Sequence, residues 1–282
     1  MNPADVLQRK GQHAPSPGSP ADIPGLEVAG VVVACGDSVT SWREGDRVFG
    51  LLGGGGLADR VGVYERHLAA VPDRLTDMTA ATVPEASITA HDGVVTQAGL
   101  GLGDVLLVNS ANGAVGIAAI QIGRAAGARV FANVRSAGVR DPIADLGAEP
   151  VSPDDFVESV VEAGGADVIL ELVGGPNIER DLDALAPKGR ILVVGTPAGA
   201  GGPFSLRKLM GKRASVTGTL LRARSLEEKA AAVRAWEHEV VPLFGDSRAV
   251  MPVDRVFPAA AAADAFDYLE QPGKFGKVLP EF

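Results

Sequence analysis

The chain has 282 residues, of which 46% are hydrophobic, and it carries a formal net charge of −9 at neutral pH. This length allows two domains or one large domain, and the acidic balance argues against nucleic acid and anionic membrane surfaces as partners. No apolar run approaches the length of a membrane span, the first residues lack the apolar stretch of a signal peptide, and the single cysteine suits a reducing cytoplasm.

The N-terminal part of the chain is predicted to be rich in β-strands. Residues 14–24 are rich in proline and serine, which indicates a loop, and residues 25–72 contain apolar runs separated by glycines. Glu27 interrupts one of these apolar runs, so we expect a buried structural carboxylate that is paired with an arginine. From about Thr79 onward the pattern becomes helical.

Residues 105–116, VLLVNSANGAVG, predict the start of a dinucleotide-binding βαβ unit. A hydrophobic strand enters a glycine turn, and the turn opens into a helix with apolar residues at helical spacing. Gly113 would let the backbone approach a pyrophosphate, Gly116 would let the helix pack closely on the strand, and the first helical N–H groups would bind the phosphates. The turn matches G-x-G-x-x-G with alanine in the first position, and its residues are Ala111, Asn112, Gly113, Ala114, Val115 and Gly116.

The end of the next strand, which begins at Arg129, is expected to distinguish the two nicotinamide cofactors. An acidic residue there binds the ribose 2′-hydroxyl of NAD, whereas a basic residue accepts the 2′-phosphate of NADP. The sequence has Arg135, Ser136 and Arg140 at this point, with no acidic residue before Asp141. We therefore predict NADPH as the cofactor. The alternative is that Arg135 is an ordinary solvated arginine.

Strands and helices alternate over residues 105–221, which predicts a parallel sheet with right-handed crossovers. Strands are predicted near residues 168–173, 190–195 and 215–221, and a helix near residues 177–186. Ligands bind at the carboxyl ends of such strands, where the sequence has Val173, Gly174, Gly195 and Thr196. The predicted fold is a doubly wound α/β Rossmann domain, residues 86–222, inserted in a β-rich domain of residues 1–85 and 223–282.

Motifs distributed from Asn2 to the end of the chain form a set that resembles one known family. The set resembles the medium-chain dehydrogenase/reductase superfamily in its zinc-free quinone oxidoreductase branch, which includes zeta-crystallin, and looks closest to the stress-inducible quinone oxidoreductase subgroup. The segments that carry the resemblance are NPADVLQRKGQ at 2–12, PGLEVAG at 24–30, GDRVFGLLGGGG at 45–56, VPEASITA at 83–90, NGAVGIAAIQIGRAAGA at 112–128, ELVGG at 171–175, LAPKGRILVVG at 185–195, LRKLMGKRASVTGTLLRAR at 206–224, PVDRVFP at 252–258 and FGKVL at 275–279.

The resemblance implies that the β-rich domain is a GroES-like catalytic domain. It also implies that Asn2 and Thr89 line the nicotinamide end of the cofactor, with Ser87 as a further candidate. His13 stands where the subgroup usually has tyrosine, and is the candidate hydrogen-bond donor to the reduced oxygen. Relatives have further strands before the segment that matches Asn2, so the first domain is expected to be N-terminally truncated. A homodimer is implied as well, because in relatives the last Rossmann strand pairs across a two-fold axis.

A zinc site is not expected. Asn2 stands where zinc-dependent relatives have a cysteine, and Leu26 and Glu27 stand where they have histidine and glutamate. Without a metal to polarise a carbonyl, the predicted reaction is hydride transfer from NADPH to a quinone. Two alternatives stay open: a reductase of enone or enoyl double bonds, and an NADPH-binding protein with little catalysis.

Overall fold

The computed structural model describes residues 1–12 and 14–282. The chain forms two compact units, of which the first combines Met1–Ile88 with Leu221–Phe282 and the second consists of Thr89–Leu220. His13, the predicted donor to the reduced oxygen, lies outside the described residues. None of the helices in the described part of the chain is both long and apolar enough to cross a bilayer.

The regular elements of the described residues are as follows. The strands are β1 (Glu27–Val31), β2 (Arg47–Leu51), β3 (Leu68–Ala70), β4 (Val105–Asn109), β5 (Arg129–Asn133), β6 (Glu149–Val151), β7 (Ala166–Glu171), β8 (Leu185–Val193), β9 (Ser215–Gly218), β10 (Val253–Pro258) and β11 (Lys277–Glu281). The helices are α1 (Pro3–Arg9), α2 (Asp77–Ala80), α3 (Pro84–His91), α4 (Ala114–Ala125), α5 (Arg140–Asp145), α6 (Phe156–Glu162), α7 (Ile178–Ala184), α8 (Leu206–Lys212), α9 (Leu226–Glu239), α10 (Val241–Gly245) and α11 (Ala262–Glu270).

The first unit is built on an antiparallel sheet with strand order β1-β2-β3 and a separate parallel pair, β10 and β11. Helix α9 begins at a capping box, in which Ser225 N–H donates to Glu228 and Glu228 N–H donates back to the Ser225 hydroxyl. This helix carries Trp236, which is completely buried and packs on Phe49 of β2 with 4.9 Å between the ring centroids. The early and late stretches of the chain therefore share one core.

The second unit is a six-stranded, all-parallel sheet with strand order β6-β5-β4-β7-β8-β9. The chain moves outward from β4 to β6 on one side and then returns to build β7, β8 and β9 on the other. The order therefore reverses between β4 and β7, which is where doubly wound sheets bind their ligands, at the carboxyl ends of the strands. The predicted doubly wound α/β fold is confirmed.

Several element limits differ from the sequence-based expectation. Strand β7 ends at Glu171 rather than near residue 173, because the Glu171 side chain accepts hydrogen bonds from the Val173 and Gly174 N–H groups and turns the chain there. Helix α7 ends at Ala184, since Leu185 is already extended and begins β8. The short strand β6 has no hydrophobic periodicity of its own, because it has three residues and includes Pro150; only the family resemblance places a strand end at Val151.

Candidate functional site

The predicted phosphate-binding turn lies at the carboxyl end of β4. Strand β4 ends at Asn109, Ser110 adopts a positive φ of 55°, and Gly113 is the N-cap of α4. The turn is tied to the neighbouring strand, because Ala111 N–H donates to the Asn133 carbonyl at 3.2 Å. The first turn of α4 carries no acidic side chain. The backbone N–H groups of this first turn have no partner within the helix, and they are the groups predicted to bind the phosphates.

The two glycines of this turn have different structural roles. A Cβ on Gly116 would lie 2.6 Å from the Ala111 Cα, so the close packing of α4 on the turn requires glycine there. A Cβ on Gly113 would meet its nearest neighbour, the Ser110 carbonyl oxygen, at 3.7 Å, which is an ordinary contact. Gly113 also has a φ of −77°, which any residue can adopt. The fold therefore leaves open space at Gly113, as the predicted approach of a pyrophosphate requires.

The predicted cofactor-selecting residues follow β5. Arg135 and Ser136 are exposed, and Ser136 caps a short turn, Ala137–Val139, that leads to Arg140 at the start of α5. No acidic side chain in residues 1–12 or 14–282 forms an ion pair with Arg135 or Arg140. The Arg140 Nε atom is buried, with no hydrogen-bond partner among those residues. Two guanidinium groups without carboxylate partners thus lie next to the end of β5.

The other predicted cofactor loops follow β7 and β8 at the same edge of the sheet. Gly174 has a φ of 119°, and a Cβ there would lie 2.8 Å from the Thr196 Cα. The two loops are joined directly, because Ala198 N–H donates to the Val173 carbonyl at 2.9 Å. Next to them, residues 193–196 and 218–220 line a groove of about 390 Å³. The structure therefore brings the residues of the turn after β4, of the β5 end and of these two loops to one edge.

A buried polar cluster that the sequence analysis missed lies beneath these loops. Asn109, Asn133, Glu171 and Asp181, here called the strand-end cluster, are all buried and joined by side-chain hydrogen bonds. Burial and the nearby Glu171 carboxylate raise the pKa of Asp181 well above its ordinary value. The signal was present in the sequence, because three hydrophobic strands, VLLVN, RVFAN and ADVILE, each end in a polar residue.

Asn2, predicted to line the nicotinamide end, lies in the first unit with an exposed fraction of 3%. Its side-chain amide donates to Glu27 Oε1 at 2.8 Å, and its carbonyl oxygen accepts from Lys277 Nζ at 2.5 Å. Lys277 also forms a buried ion pair with Glu27, so the expected arginine partner of Glu27 was wrong. Burial alone would raise the pKa of Glu27. The positive charge of Lys277 and the hydrogen bonds to Lys277 and Asn2 outweigh burial, so the pKa of Glu27 is lower than usual.

The remaining predicted site residues lie on α3. Thr89 belongs to the second unit and is 8% exposed. Ser87 is completely buried in the first unit, where it donates to the Val83 carbonyl at 2.5 Å and accepts from the Trp236 indole at 2.7 Å. The Ser87 hydroxyl is therefore used in packing α3 against α9. Within the described parts of the chain, no group of three histidine, cysteine or acidic side chains is placed to hold a metal ion.

Two family models match the chain. The model "Alcohol dehydrogenase GroES-like domain" matches residues 1–73, and the model "Zinc-binding dehydrogenase" matches residues 114–236. The quinone oxidoreductase of Sus scrofa is 32% identical over 99% of this chain, and the match covers 85% of the relative. This similarity therefore extends over both units.

Solved structures show the same relationship. The quinone oxidoreductase from Thermus thermophilus, whose structure was determined alone and in complex with NADPH, is 33% identical with a TM-score of 0.86, covering 100% of this chain and 88% of that one. CurK enoyl reductase is 28% identical with a TM-score of 0.83, covering 99% of this chain and 88% of that one. The chain is thus similar to reductases of two substrate classes.

Proposed function

Since the chain belongs to the medium-chain dehydrogenase/reductase superfamily and has quinone oxidoreductases among its homologues, we propose that it is an NADPH-dependent, zinc-independent quinone oxidoreductase. The proposal rests on the carboxyl ends of the parallel strands in the second unit. There, the open turn at Gly113 and the unpaired Arg135 and Arg140 occupy the ends of neighbouring parallel strands.

The charge at this edge supports NADPH in preference to NADH. The adenosine end of a dinucleotide binds at the end of the second strand of the unit, and the 2′-phosphate distinguishes NADPH there. Arg135 is exposed and Arg140 is half-buried with an unsatisfied Nε, so both guanidinium groups can donate to a phosphate. An acidic residue, which would favour the 2′-hydroxyl of NADH, is missing from the sequence between Asn133 and Arg140.

Zinc independence is proposed from the available ligands. Cys35 is the single cysteine of the chain, and it is exposed, with its thiol near the Trp42 carbonyl. A catalytic zinc site needs three protein ligands drawn from cysteine, histidine and carboxylates. Near Asn2, Glu27 binds Lys277 instead, and the Lys277 ammonium group is held by Glu27 and the Asn2 side-chain carbonyl.

NADPH supplies a hydride, and the protein supplies orientation and exclusion of water. A quinone or an activated alkene accepts a hydride with less assistance than an unactivated carbonyl does, which matches the proposed absence of a Lewis acid. By resemblance, Asn2 and Thr89 are proposed to position the nicotinamide end, and His13 is proposed to donate a hydrogen bond to the reduced oxygen. The bonds from Asn2 to Glu27 and Lys277 would hold its amide in one orientation.

A second candidate is reduction of the double bond of an enone or enoyl thioester, and the similarity to CurK enoyl reductase favours it. The two activities are distinguished by steady-state oxidation of NADPH with a small para-quinone and with an α,β-unsaturated ketone as alternative acceptors. Faster turnover with the quinone supports the proposal, and faster turnover with the ketone supports the second candidate. Tight NADPH binding without turnover by either acceptor would instead indicate a binding protein with little catalysis.

A homodimer is also proposed, and it would form at the open edge of the second unit. Strand β9 is the last strand of the sheet, and the nearby large apolar side chains are exposed, namely Phe204, Leu206, Met210 and Leu220. Unpaired strand edges and exposed apolar patches are typical of association surfaces. Light scattering after size-exclusion chromatography tests this, with Met210→Glu expected to shift a dimer toward monomer. A monomeric wild-type chain would contradict it.

A further inference from the structure

The strand-end cluster connects the three strand ends from which cofactor loops emerge. Asn109 precedes the turn after β4, Asn133 precedes the Arg135 loop, and Glu171 precedes the Gly174 loop. Asn109 is the central member. Its Oδ1 accepts from Asn133 Nδ2 at 2.9 Å, and its Nδ2 donates to Glu171 Oε2 at 2.6 Å. A change in the charge of this cluster would therefore act on all three loops.

Glu171 accepts hydrogen bonds through both oxygens of its carboxyl group. Its Oε1 accepts from the backbone N–H groups of Val173 and Gly174, the second at 2.7 Å. Its Oε2 accepts from Asn109 Nδ2 at 2.6 Å and from Asn177 Nδ2 at 2.9 Å. Four donors therefore converge on a completely buried side chain. Glu171 thereby fixes the backbone of the Gly174 loop.

Among residues 1–12 and 14–282, Asp181 receives fewer hydrogen bonds than Glu171, and only one of its oxygens accepts any. Its Oδ1 accepts from Asn109 Nδ2 at 2.8 Å, the same amide group that donates to Glu171, so the two carboxyl groups converge on one donor. Its Oδ2 is buried and receives no hydrogen bond from any residue that the structure describes. The Asn177 amide is shared in the same way, since its Nδ2 lies 2.9 Å from Glu171 Oε2 and 3.5 Å from Asp181 Oδ1. Two ionised carboxylates that converge on the same amides would repel each other strongly. A proton on Asp181 satisfies both groups, since it gives Asp181 a donor.

Few other charges act on Asp181. Arg180, its neighbour on α7, favours the ionised form, and its half-buried guanidinium stacks on Phe156, while burial and Glu171 favour the protonated form and outweigh it. Lys208 of α8 pairs with Glu179 and Asp183, and Lys212 donates to backbone carbonyls. The elements packed against α7 carry six further ionisable groups, each of which is exposed, half-buried or paired elsewhere. They are Glu158, Glu162, Asp167, Lys188, Arg190 and Arg207.

We propose that Asp181 is a positioning residue that keeps a proton in the folded protein, donates a hydrogen bond to Glu171 through it, and thereby holds the Gly174 loop in the conformation that receives the cofactor. The inference rests on the proposed function, because it concerns the same NADPH site. Loss of this proton would place two negative charges beside one Asn109 amide. Glu171 would then move away from Asp181, and the Val173 and Gly174 N–H groups would follow it.

The test compares NADPH dissociation constants, measured by calorimetry between pH 7 and pH 9.5, in four forms of the full chain. Asp181→Asn replaces the O–H donor by an N–H donor of the same shape and cannot ionise. Asp181→Ala removes the donor, and Asp183→Asn is the matched control, since Asp183 is an exposed aspartate on the same helix. The wild type is expected to bind NADPH more weakly as pH rises, and Asp183→Asn should follow it, whereas Asp181→Asn should bind with an affinity that does not change with pH.

At pH 7, Asp181→Asn is expected to bind NADPH within about twofold of the wild type, and Asp181→Ala about tenfold more weakly, because it removes the hydrogen bond that Asp181 donates to the buried Glu171. Equal weakening in Asp181→Asn and Asp181→Ala, or parallel pH profiles in all forms, would overturn the proposal. If Asp181→Ala fails to fold, the comparison of Asp181→Asn with the wild type still decides it.

A second readout is independent of the cofactor. Difference infrared spectroscopy of wild type minus Asp181→Asn at pH 7 is expected to show the carbonyl stretch of a protonated carboxylic acid. Absence of that band would overturn the proposal even if NADPH binds. Presence of the band in a protein that binds no NADPH would support the shared proton, overturn its role at the cofactor site, and contradict the proposed function separately.

Discussion

The indole N–H of Trp236 donates to the Ser87 hydroxyl at 2.7 Å, and both side chains are completely buried. Ser87 donates its own proton to the Val83 carbonyl, so the two bonds form a chain from α9 into α3. These two hydrogen bonds join a helix from the C-terminal stretch of the first unit to a helix from its N-terminal stretch. Ser87 thereby has a structural role, whereas the family resemblance makes it a candidate for the nicotinamide site.

The first prediction separates these two roles of Ser87. Ser87→Ala leaves the buried Trp236 N–H without an acceptor, which is expected to lower the free energy of unfolding by about 1–3 kcal/mol. Urea unfolding followed by tryptophan fluorescence measures this, and the Michaelis constant for NADPH is expected to stay unchanged. Ser159→Ala, on the half-buried surface of α6, is the control. A large change in the Michaelis constant for NADPH without a loss of stability would instead support a role of Ser87 at the nicotinamide site.

The second prediction concerns the two glycines of the turn after β4. Gly116→Ala places a Cβ 2.6 Å from the Ala111 Cα, so we expect a loss of about 1–3 kcal/mol in the free energy of unfolding. Gly113→Ala meets only ordinary contacts within the protein, so its melting temperature should match the wild type.

The effect of Gly113→Ala is expected on the ligand instead, since a methyl group would occupy the space for the pyrophosphate and weaken NADPH about tenfold or more. Each variant is thus the control for the other, and calorimetric binding with thermal unfolding measures both effects. Unchanged NADPH affinity in Gly113→Ala would argue against phosphate binding at this turn.

The third prediction tests cofactor selection. Arg135→Ala removes a charge-assisted hydrogen bond worth about 1.5–3 kcal/mol, so the affinity for NADPH should fall about 10- to 100-fold while that for NADH stays nearly constant. Arg129→Ala is the matched control, because Arg129 lies at the other end of β5 and its Nε pairs with exposed Glu149 at 2.6 Å. Equal losses for the two cofactors would show that Arg135 does not read the 2′-phosphate.

The sequence was informative wherever the structural signal was local. The β4 strand, the turn and α4 follow one another without interruption, so a hydrophobic run, two glycines and a helical period were sufficient to place them. The Ser225 capping box is equally local, because its two residues are three positions apart. The doubly wound fold followed from the alternation of such segments.

Contacts between distant residues could not be read in this way. Glu27 was expected to pair with an arginine, but its partner is Lys277, 250 residues away. Asn109 contacts Glu171 and Asp181 across 62 and 72 residues, and only the fold makes them neighbours. The polar residues that end three buried strands hinted at such a cluster, but no periodicity shows which side chains meet or that one of them is left without a donor.

The last prediction uses a second acidic residue with a raised pKa, Glu85 at the start of α3. Burial raises the pKa of Glu85 from 4.5 to about 7; Lys277 opposes this shift, and the negative charge of Glu27 adds to it. The folded protein therefore holds a proton on Glu85 that the unfolded chain releases above pH 4.5. The corresponding stability is fully present below that pH and is lost as the pH rises through about 7.

Glu85→Gln mimics the protonated side chain and cannot ionise. Its free energy of unfolding, measured in urea from pH 5 to pH 8, should rise relative to wild type by up to about 2 kcal/mol across this range, allowing for solvent screening of a half-buried group. Glu158→Gln on the exposed surface of α6 is the control and should run parallel to wild type. A parallel Glu85→Gln curve would mean that Glu85 is already ionised at pH 5, and that Lys277 balances Glu27 and Glu85 together rather than Glu27 alone.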